Sequence, residues 1–483
     1  MSIKNLLFQK EHNADKIVQV KGWLLTKRIQ KEITFIKIND GSCPQGLQLV
    51  IINRLYPNLD CYTIGCSLEA HGKMVETMKS KARNPTDVAE YEMECTELKI
   101  IGLSDKDTYP FAKTKLPLEY LRKFAHIRGR TSTYGSIFRL RSAIMLNLHK
   151  YLGSTEDFLF LNPPIITKGD CEGGGGVFQV TEKDLSNNLT KFNWKDDQTS
   201  AIDENLIKLT NASHSQFDHF NQPVYLTVSS QLQLEALACS LGRVYTTNKS
   251  FRAEHSSTHK HLSEFEHLEI EACFITLDEL MDIAEKLIKT IACKLLDENM
   301  DDILNLEKFV SPMLSTKLRE ISKSNYMRIR YTDAISLLQT MKLDTPVVYG
   351  MDLNSEMETA LTNHFNSPVF VFNWTLDIKA FYMKRDEVDS SLCNNFDLLM
   401  PYKVGELIGG SMREDSYDKL LEVVEQRKMN IEPIEYYLNL RKHGSVPHGG
   451  FGLGLDRLIM LMTGMENIRD VVPFPIQYKS CDY

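Results

Sequence analysis

The periodicity of the chain changes once, near residue 104, and that change limits the possible folds more than any other feature. Before it, Ile17–Leu25, Ile33–Ile38 and Leu47–Ile52 are short segments rich in Val, Ile and Phe. Turn signals such as Asn39-Asp40-Gly41 separate them. Several short strands within about 100 residues predict a small β-barrel or sandwich. The polar, proline-containing stretch Ser104–Lys115 reads as a hinge. Beyond it Ile137, Leu140, Ile144, Leu148 and Tyr151 recur at helical spacing. Phe158–Leu161 is strand-like and is stopped by Pro163-Pro164, and Val224–Val228 reads as a further strand. Ser230-x-x-Gln233 has the form of a capping box opening a helix that ends at Gly242, and Thr276-x-x-Glu279 opens a second helix running through Leu296. Strands and helices interleave without regular βαβ spacing. The expectation is an α+β fold with a mostly antiparallel sheet. At 483 residues the chain is too long for one core and divides into two or three domains.

Composition excludes several classes. Hydrophobic residues at 42% and charged residues at 25% are incompatible with wholesale disorder. Lys plus Arg number 56 against 64 for Asp plus Glu, a net charge of −8. That balance opposes indiscriminate binding to DNA or other nucleic acid and leaves room for a local basic face. No uninterrupted apolar run is long enough to span a membrane. The ten cysteines form no CxxC pair, as expected of reduced thiols in the cytosol. The first residues lack the order of a signal peptide and carry Glu11 and Asp15, so a cytoplasmic location is expected.

Four segments carry candidate chemistry. In Ser250–Phe274, strand periodicity puts Phe265, His267, Glu269 and Glu271 on one face and Leu268, Ile270, Ala272 and Phe274 on the packed one. A ring beside two carboxylates suits an adenine platform next to a cationic or amide substrate, and a solvated acidic face is the alternative. His255, His259 and His261 have zinc-like spacing, with no cysteine pair to support it. Pro447–Thr463 reads as a glycine-rich turn followed by a helix that buries Leu455, Leu458, Ile459 and Met462. It is neither a P-loop nor a dinucleotide fingerprint, but Arg457 in the first helical turn suits a triphosphate or a stacked base. In Asp397–Glu414, Asp397 and Glu406 offer hard oxygens for magnesium, and Arg413 follows a Gly-Gly-Ser turn. Asp170–Phe178 holds four consecutive glycines, as a loop closing over a ligand would, or a plain turn.

The arginine-bearing Phe251-Arg252-Ala253-Glu254 hairpin, the upstream helix–strand–Pro164 element and Gly452-Leu453-Gly454-Leu455-Asp456-Arg457 resemble motifs two, one and three of the class II aminoacyl-tRNA synthetases. The resemblance covers nearly the whole chain. A leading OB barrel is similar to subclass IIb, the aspartyl, asparaginyl and lysyl enzymes. It implies an anticodon-binding barrel over 1–103, a linker over 104–120 and a catalytic domain over 121–483. The stretches SSQLQLEALA, IKAFYM, GELIGGSMRE, GGFGLGLDRL and NIRDVVPFP are similar to the asparaginyl branch. Aspartyl enzymes usually carry a lysine where this chain has Leu234, three residues after Gln231, and tend to carry Asp where it has Glu269. Both differences point to a neutral amide substrate. Three departures stand out: FLFLNPP in place of the usual motif-one strand, Asp456 for Glu, and Ile476 for an arginine in the tail. A polar segment, Asp184–Asn221, looks inserted between motifs one and two.

The resemblance implies ATP-dependent activation of asparagine and its transfer to tRNA(Asn). Arg252 and Arg457 would be the catalytic arginines, on the α-phosphate and γ-phosphate. Glu254 would place the adenine, Phe265 and Arg457 would sandwich it, and His261 would reach the outer phosphates. Asp397 and Glu406 would hold Mg2+. Glu172 and Gln231 would take the α-ammonium group of asparagine, Arg413 its side-chain carbonyl and Glu269 its side-chain NH2. Phe35 and Gln48 would read the anticodon, with Lys27 and Arg28 on nearby phosphates. Phe35 could otherwise be a barrel-core residue. Motif one implies a homodimer.

Overall fold

The computed structural model describes residues 1–8, 15–56, 58–77, 91–111, 116–168, 176–182 and 219–483. Alternation along the first strands closes a barrel. In Ile33–Asn39 (β2) every second residue, Thr34, Ile36 and Ile38, is fully buried. Leu47–Ile52 (β3) buries Leu47, Leu49 and Ile51 in the same way. With Ile17–Ile29 (β1), Ser67–Glu76 (β4) and Tyr91–Gly102 (β5) these form a closed barrel in the order β1-β2-β3-β5-β4. The Asn39-Asp40-Gly41 turn forms as expected, with Asn39 Oδ1 accepting from the Gly41 N–H at 2.6 Å and Gly41 at φ +86°.

Close contacts divide the chain into two compact units. One comprises Met1–Leu146, Ala292–Glu320 and Met462–Phe474; the other comprises Asn147–Ile291, Ile321–Leu461 and Pro475–Tyr483. The first unit contains the barrel and a polar clamp. Asp470 takes a bidentate contact from Arg122, both distances 2.7 Å, and a hydrogen bond from the Tyr134 hydroxyl at 2.6 Å.

The second unit is built on an eight-stranded sheet. Its strands are Leu159–Phe160 (β6), Arg243–Phe251 (β10), Glu264–Cys273 (β11), Met327–Arg330 (β12), Val369–Phe372 (β13), Asn395–Met400 (β14), Gly405–Met412 (β15) and His448–Gly454 (β16). The order is β12-β13-β14-β15-β16-β11-β10-β6, antiparallel throughout except for the β12–β13 and β10–β6 pairs at the two edges. A separate three-stranded sheet joins Ile166–Thr167 (β7), Gln179–Val180 (β8) and Val224–Leu226 (β9). The expected α+β fold, an OB-type barrel followed by a mostly antiparallel sheet with helices, is the one observed.

Helices follow their apolar stripes. Ser132–Thr155 buries Ile137, Leu140, Ile144 and Leu148 completely. Leu277–Glu298 opens on a formed capping box: Glu279 accepts from the Thr276 N–H at 2.8 Å, and the Glu279 N–H donates to the Thr276 hydroxyl at 3.3 Å. Gln231–Leu241 ends at Gly242, φ +88°, as expected, but its capping box does not form. Ser230 makes no side-chain cap, because its hydroxyl accepts from the Asn248 amide at 3.1 Å.

Two further expectations need correction. Leu268, Ile270 and Ala272 are fully buried, whereas Phe274 is 78% exposed. It lies past the end of β11 at φ +57°, where the turn reverses its direction. The glycine-rich stretch after Pro447 is not a turn. It is the central strand β16, hydrogen-bonded to β11 on one side and β15 on the other.

Candidate active site

Strand β16 explains why glycine is needed in mid-sheet, where it costs stability. A Cβ on Gly450 would overlap the Ile270 carbonyl oxygen and lie 2.5 Å from the Glu271 carboxyl. A Cβ on Gly452 would lie 2.5 Å from His267 Nε2. The bare strand makes room for side chains from β11, and a cavity of about 230 Å³ opens above it. Gln231, Arg252, Glu269, Asp397, Glu406 and Arg413, all expected at a site, line this cavity together.

Arg413, at the end of β15, is almost fully buried and forks onto Glu271. Its Nη2 contacts Glu271 Oε1, and its Nε donates to Oε2 at 3.3 Å. A third bond runs from Nη1 to the Ser411 hydroxyl at 2.6 Å. Burial pushes the Glu271 carboxyl up to about 7, against the pull of Arg413. Behind the pair, Glu235 is completely buried. It accepts from Arg441 at 2.9 Å, lies 3.2 Å from His448 Nε2, and accepts from the Gln231 amide at 3.0 Å. Burial opposes its charge, but His448, Arg441 and Arg413 hold it well below the usual carboxylate range.

Glu269 is arranged differently. Its carboxylate accepts from the Ser229 hydroxyl, and the Ser230 N–H donates to both of its oxygens, at 3.1 and 2.9 Å. It therefore also anchors the turn from which Gln231 projects. Leu234 is fully buried in an apolar cluster with Ala238, Val244 and Cys273, so the start of this helix brings no cation to the cavity. Lys379 is the single lysine among the described residues of the lining.

Asp397 and Glu406 sit on neighbouring strands. A Cβ on Gly409 would lie 3.6 Å from Asp397 Oδ1 and 3.4 Å from Glu406 Oε1, so two hard oxygens flank one open point. Burial and the Glu406 charge push Asp397 up to about 6, although Lys379 Nζ binds its other oxygen at 2.7 Å. A small divalent cation completed by ligand oxygens suits this donor set. Among the described residues no group of three or more His, Cys, Asp or Glu is placed to hold a metal ion.

Cationic groups collect at the other end. The Arg252 guanidinium lies 5.6 Å from the Phe265 ring centroid. Arg457, half-buried in the first turn of Leu455–Thr463, donates to the Glu406 carbonyl at 2.8 Å. Burial, together with the charges of Arg457, Arg252 and Lys260, lowers the pKa of His261, while Glu254 works the other way. Five expected nucleotide contacts, Arg252, Glu254, His261, Phe265 and Arg457, thus gather around one cationic patch, with Lys260 added. Asp456, which replaces the usual Glu, accepts from the Glu266 N–H at 3.0 Å and so keeps a carboxylate on the hairpin. Ile476 reaches the hairpin through its backbone, its carbonyl accepting from the Ser263 N–H at 2.9 Å.

Glu172 and most of Asp184–Asn221 lie outside the described residues. Lys379, Ser229, His267, Tyr382 and Glu271 line the cavity without having been given roles from the sequence. IKAFYM holds Lys379 and Tyr382, and that signal was available.

On the barrel, Phe35 is not in the core. It faces outward and half-buried, with the Arg28 guanidinium 4.8 Å from its ring centroid. Gln48 opposes Lys37 on the same face and donates to Glu92 at 2.7 Å. Lys27 opposes Ile36 and turns the other way, donating to the Leu59 carbonyl at 3.0 Å.

Residues 117–478 match the family model described as tRNA synthetases class II (D, K and N), and residues 18–101 match that of the OB-fold nucleic acid binding domain. The chain is 37% identical to asparagine–tRNA ligase of Photobacterium profundum over 479 residues, 97% of each chain. It superposes on asparaginyl-tRNA synthetase of Pyrococcus horikoshii complexed with asparaginyl-adenylate with a TM-score of 0.82, at 27% identity, covering 100% of this chain and 99% of that one. The Entamoeba histolytica enzyme in complex with asparaginyl-adenylate gives 0.79 at 30% identity, covering 97% of both. A barrel that matches the OB-fold model, a glycine-floored cavity between two acidic strands and a family match over three quarters of the chain lead to one assignment: this chain belongs to the class II tRNA synthetases of the D, K and N group.

Proposed function

We propose that the chain is an asparagine–tRNA ligase, which condenses asparagine with ATP to asparaginyl-adenylate and then passes the asparaginyl group to the terminal ribose of tRNA(Asn). One observation carries the substrate choice: the buried Arg413–Glu271 pair shares a cavity with Glu269, and Lys379, the one lysine among the described lining residues, is bound to Asp397. An amide has one end that accepts and one that donates. Arg413 donates to its carbonyl oxygen and Glu269 accepts from its NH2, with Glu271 holding the arginine fork. Aspartate would bring a second negative charge among these carboxylates.

No side-chain nucleophile is required, since the amino acid's own carboxylate attacks the α-phosphate. Catalysis is positioning and charge stabilisation. Arg252 binds the α-phosphate, Glu254 and Phe265 seat the adenine, and His261 and Arg457 hold the outer phosphates. Gln231 and Glu172 take the α-ammonium group. Asp397 and Glu406 would hold Mg2+, which when bound neutralises phosphate charge.

Residues 1–103 would serve as the anticodon-binding domain, 104–120 as linker and 121–483 as catalytic domain. Phe35 and Gln48 present an aromatic face and an amide edge to anticodon bases, and Arg28 a phosphate contact, with Lys27 in support. A homodimer is proposed from the edge strand β6, whose Leu159 and Phe160 are 49% and 43% exposed beside the sheet's open edge. Among the described residues no helix is long and apolar enough to cross a membrane, and the proposed location is the cytoplasm.

The deciding measurement is ATP–pyrophosphate exchange with asparagine and with aspartate; exchange driven equally by both would overturn the assignment. Glu269→Gln is expected to lower kcat/KM for asparagine about tenfold to a hundredfold, the worth of a charged hydrogen bond of roughly 1.5–3 kcal/mol. Activity with aspartate should fall less. Equal losses would make Glu269 an anchor of the Ser229–Ser230 turn alone. Gln48→Ala should leave exchange unchanged and slow tRNA charging up to about tenfold, the range of one neutral hydrogen bond.

A further inference from the structure

The helix Gln231–Leu241 sets Gln231 and Glu235 one turn apart on the same face, Gln231 lining the cavity and Glu235 completely buried behind it. The Gln231 side-chain nitrogen Nε2 donates to Glu235 Oε1 at 3.0 Å. The other carboxylate oxygen accepts from Arg441 Nη2 at 2.9 Å and lies 3.2 Å from His448 Nε2. Arg413 Nε stands 3.7 Å from Oε1. Burial opposes a charge there, but His448, Arg441 and Arg413 hold the carboxyl in its ionised form. An ionised carboxylate only accepts, so the Gln231 amide can meet it through the NH2 end alone. That leaves the amide's carbonyl oxygen for the cavity.

We propose, on the reading that Gln231 takes the α-ammonium group of asparagine, that Glu235 is the positioning residue for that contact. It fixes the Gln231 amide in one orientation, oxygen toward the cavity, and so makes Gln231 an acceptor. The two ends of an amide are nearly equal in size, and nothing in the shape of Gln231 itself selects between them. An ammonium group only donates, so an amide turned the other way would oppose it with N–H groups of its own. The same buried carboxylate faces Arg413, which takes the other end of asparagine. One charge thus orders both ends of the amino-acid site from behind.

Glu235→Gln is close to isosteric and frees the Gln231 amide to turn either way. It should raise KM for asparagine in pyrophosphate exchange about tenfold, the low end for a charged hydrogen bond, with kcat nearly unchanged. Succinamate, which is asparagine without its α-amino group, separates positioning from general damage. Its inhibition constant should be the same in Glu235→Gln as in the native protein. Gln231→Ala should also raise KM for asparagine, and adding Glu235→Gln to it should raise KM no further. Exchanging the two residues, Gln231→Glu with Glu235→Gln, presents an acceptor in either orientation and keeps the charge count where the single variant is unstable. This pair should recover most of the affinity for asparagine. Succinamate binding lost in step with asparagine, or an unaltered KM in Glu235→Gln, would overturn the positioning role and leave Gln231 on the ammonium group. An exchanged pair no better with asparagine than Gln231→Ala would overturn it too. An unaltered KM in Gln231→Ala would overturn both the role of Glu235 and the placing of the ammonium group.

Discussion

Arg413→Ala is expected to reduce asparagine-dependent pyrophosphate exchange by a thousandfold or more and to lower thermal stability in the same protein. The two losses share a cause. The guanidinium is buried and forked onto Glu271, so its removal strands a buried carboxylate. Breaking a buried pair from one side costs about 3–5 kcal/mol. Adding Glu271→Gln should recover much of the stability, because the stranded charge is gone, and none of the exchange activity, because the donor to the substrate carbonyl is still missing. Melting temperature and kcat/KM measured on the single and double variants separate the roles. Recovery of both together would reduce Arg413 to a structural residue.

Arg457→Ala is expected to abolish adenylate formation at the sensitivity of the exchange assay while leaving the fold intact. The side chain is half-buried and its one described hydrogen bond is to the Glu406 carbonyl, so the folded protein loses little. In its proposed role Arg457 supplies a phosphate contact and one face of the adenine slot, and the variant loses both. Together these come to about 4 kcal/mol or more, close to a thousandfold in kcat/KM. Arg457→Lys should restore part of the phosphate contact without the planar face, and KM for ATP should remain high. An Arg457→Ala protein with near-normal exchange would remove motif three from the mechanism.

How far the sequence could be read depended on the range of the interaction. The stripe of Ser132–Thr155 and the Thr276–Glu279 box are decided within one or two turns, and both were visible. So was the inner face of β11 through Leu268, Ile270 and Ala272. Ser230 had the same local credentials as Thr276, but Asn248 on a neighbouring strand claimed its hydroxyl. The glycines after Pro447 looked like a turn because glycine is a poor strand former. They are a strand because β11 and β15 crowd in from both sides, which no local pattern encodes. Periodicity placed Glu269 and Glu271 on one face and could not rank them. The ranking is made by Arg413, 142 residues from Glu271, and by Ser229, 40 residues from Glu269. Lys379 lay in the legible stretch IKAFYM, but its significance lies in Asp397 being 2.7 Å away, which that stretch does not encode.

The bare strand beneath the cavity also restricts how such a site can diverge. No side chain fits at Gly450 or Gly452, so a change of ligand cannot begin on the floor and must begin on the walls. There the residues are already paired, Glu271 with Arg413 and Glu269 with the Ser229–Ser230 turn. A lone substitution in the first pair passes through a molecule holding an unmatched buried charge, a step that consumes a large share of the roughly 5–15 kcal/mol by which a domain is stable. Paired replacements avoid that intermediate, and a neutral exchange of Glu271 for Gln leaves only a milder one. The accessible routes to a new substrate are therefore few and run through both walls at once, so that the pocket is inherited as a block rather than adjusted residue by residue.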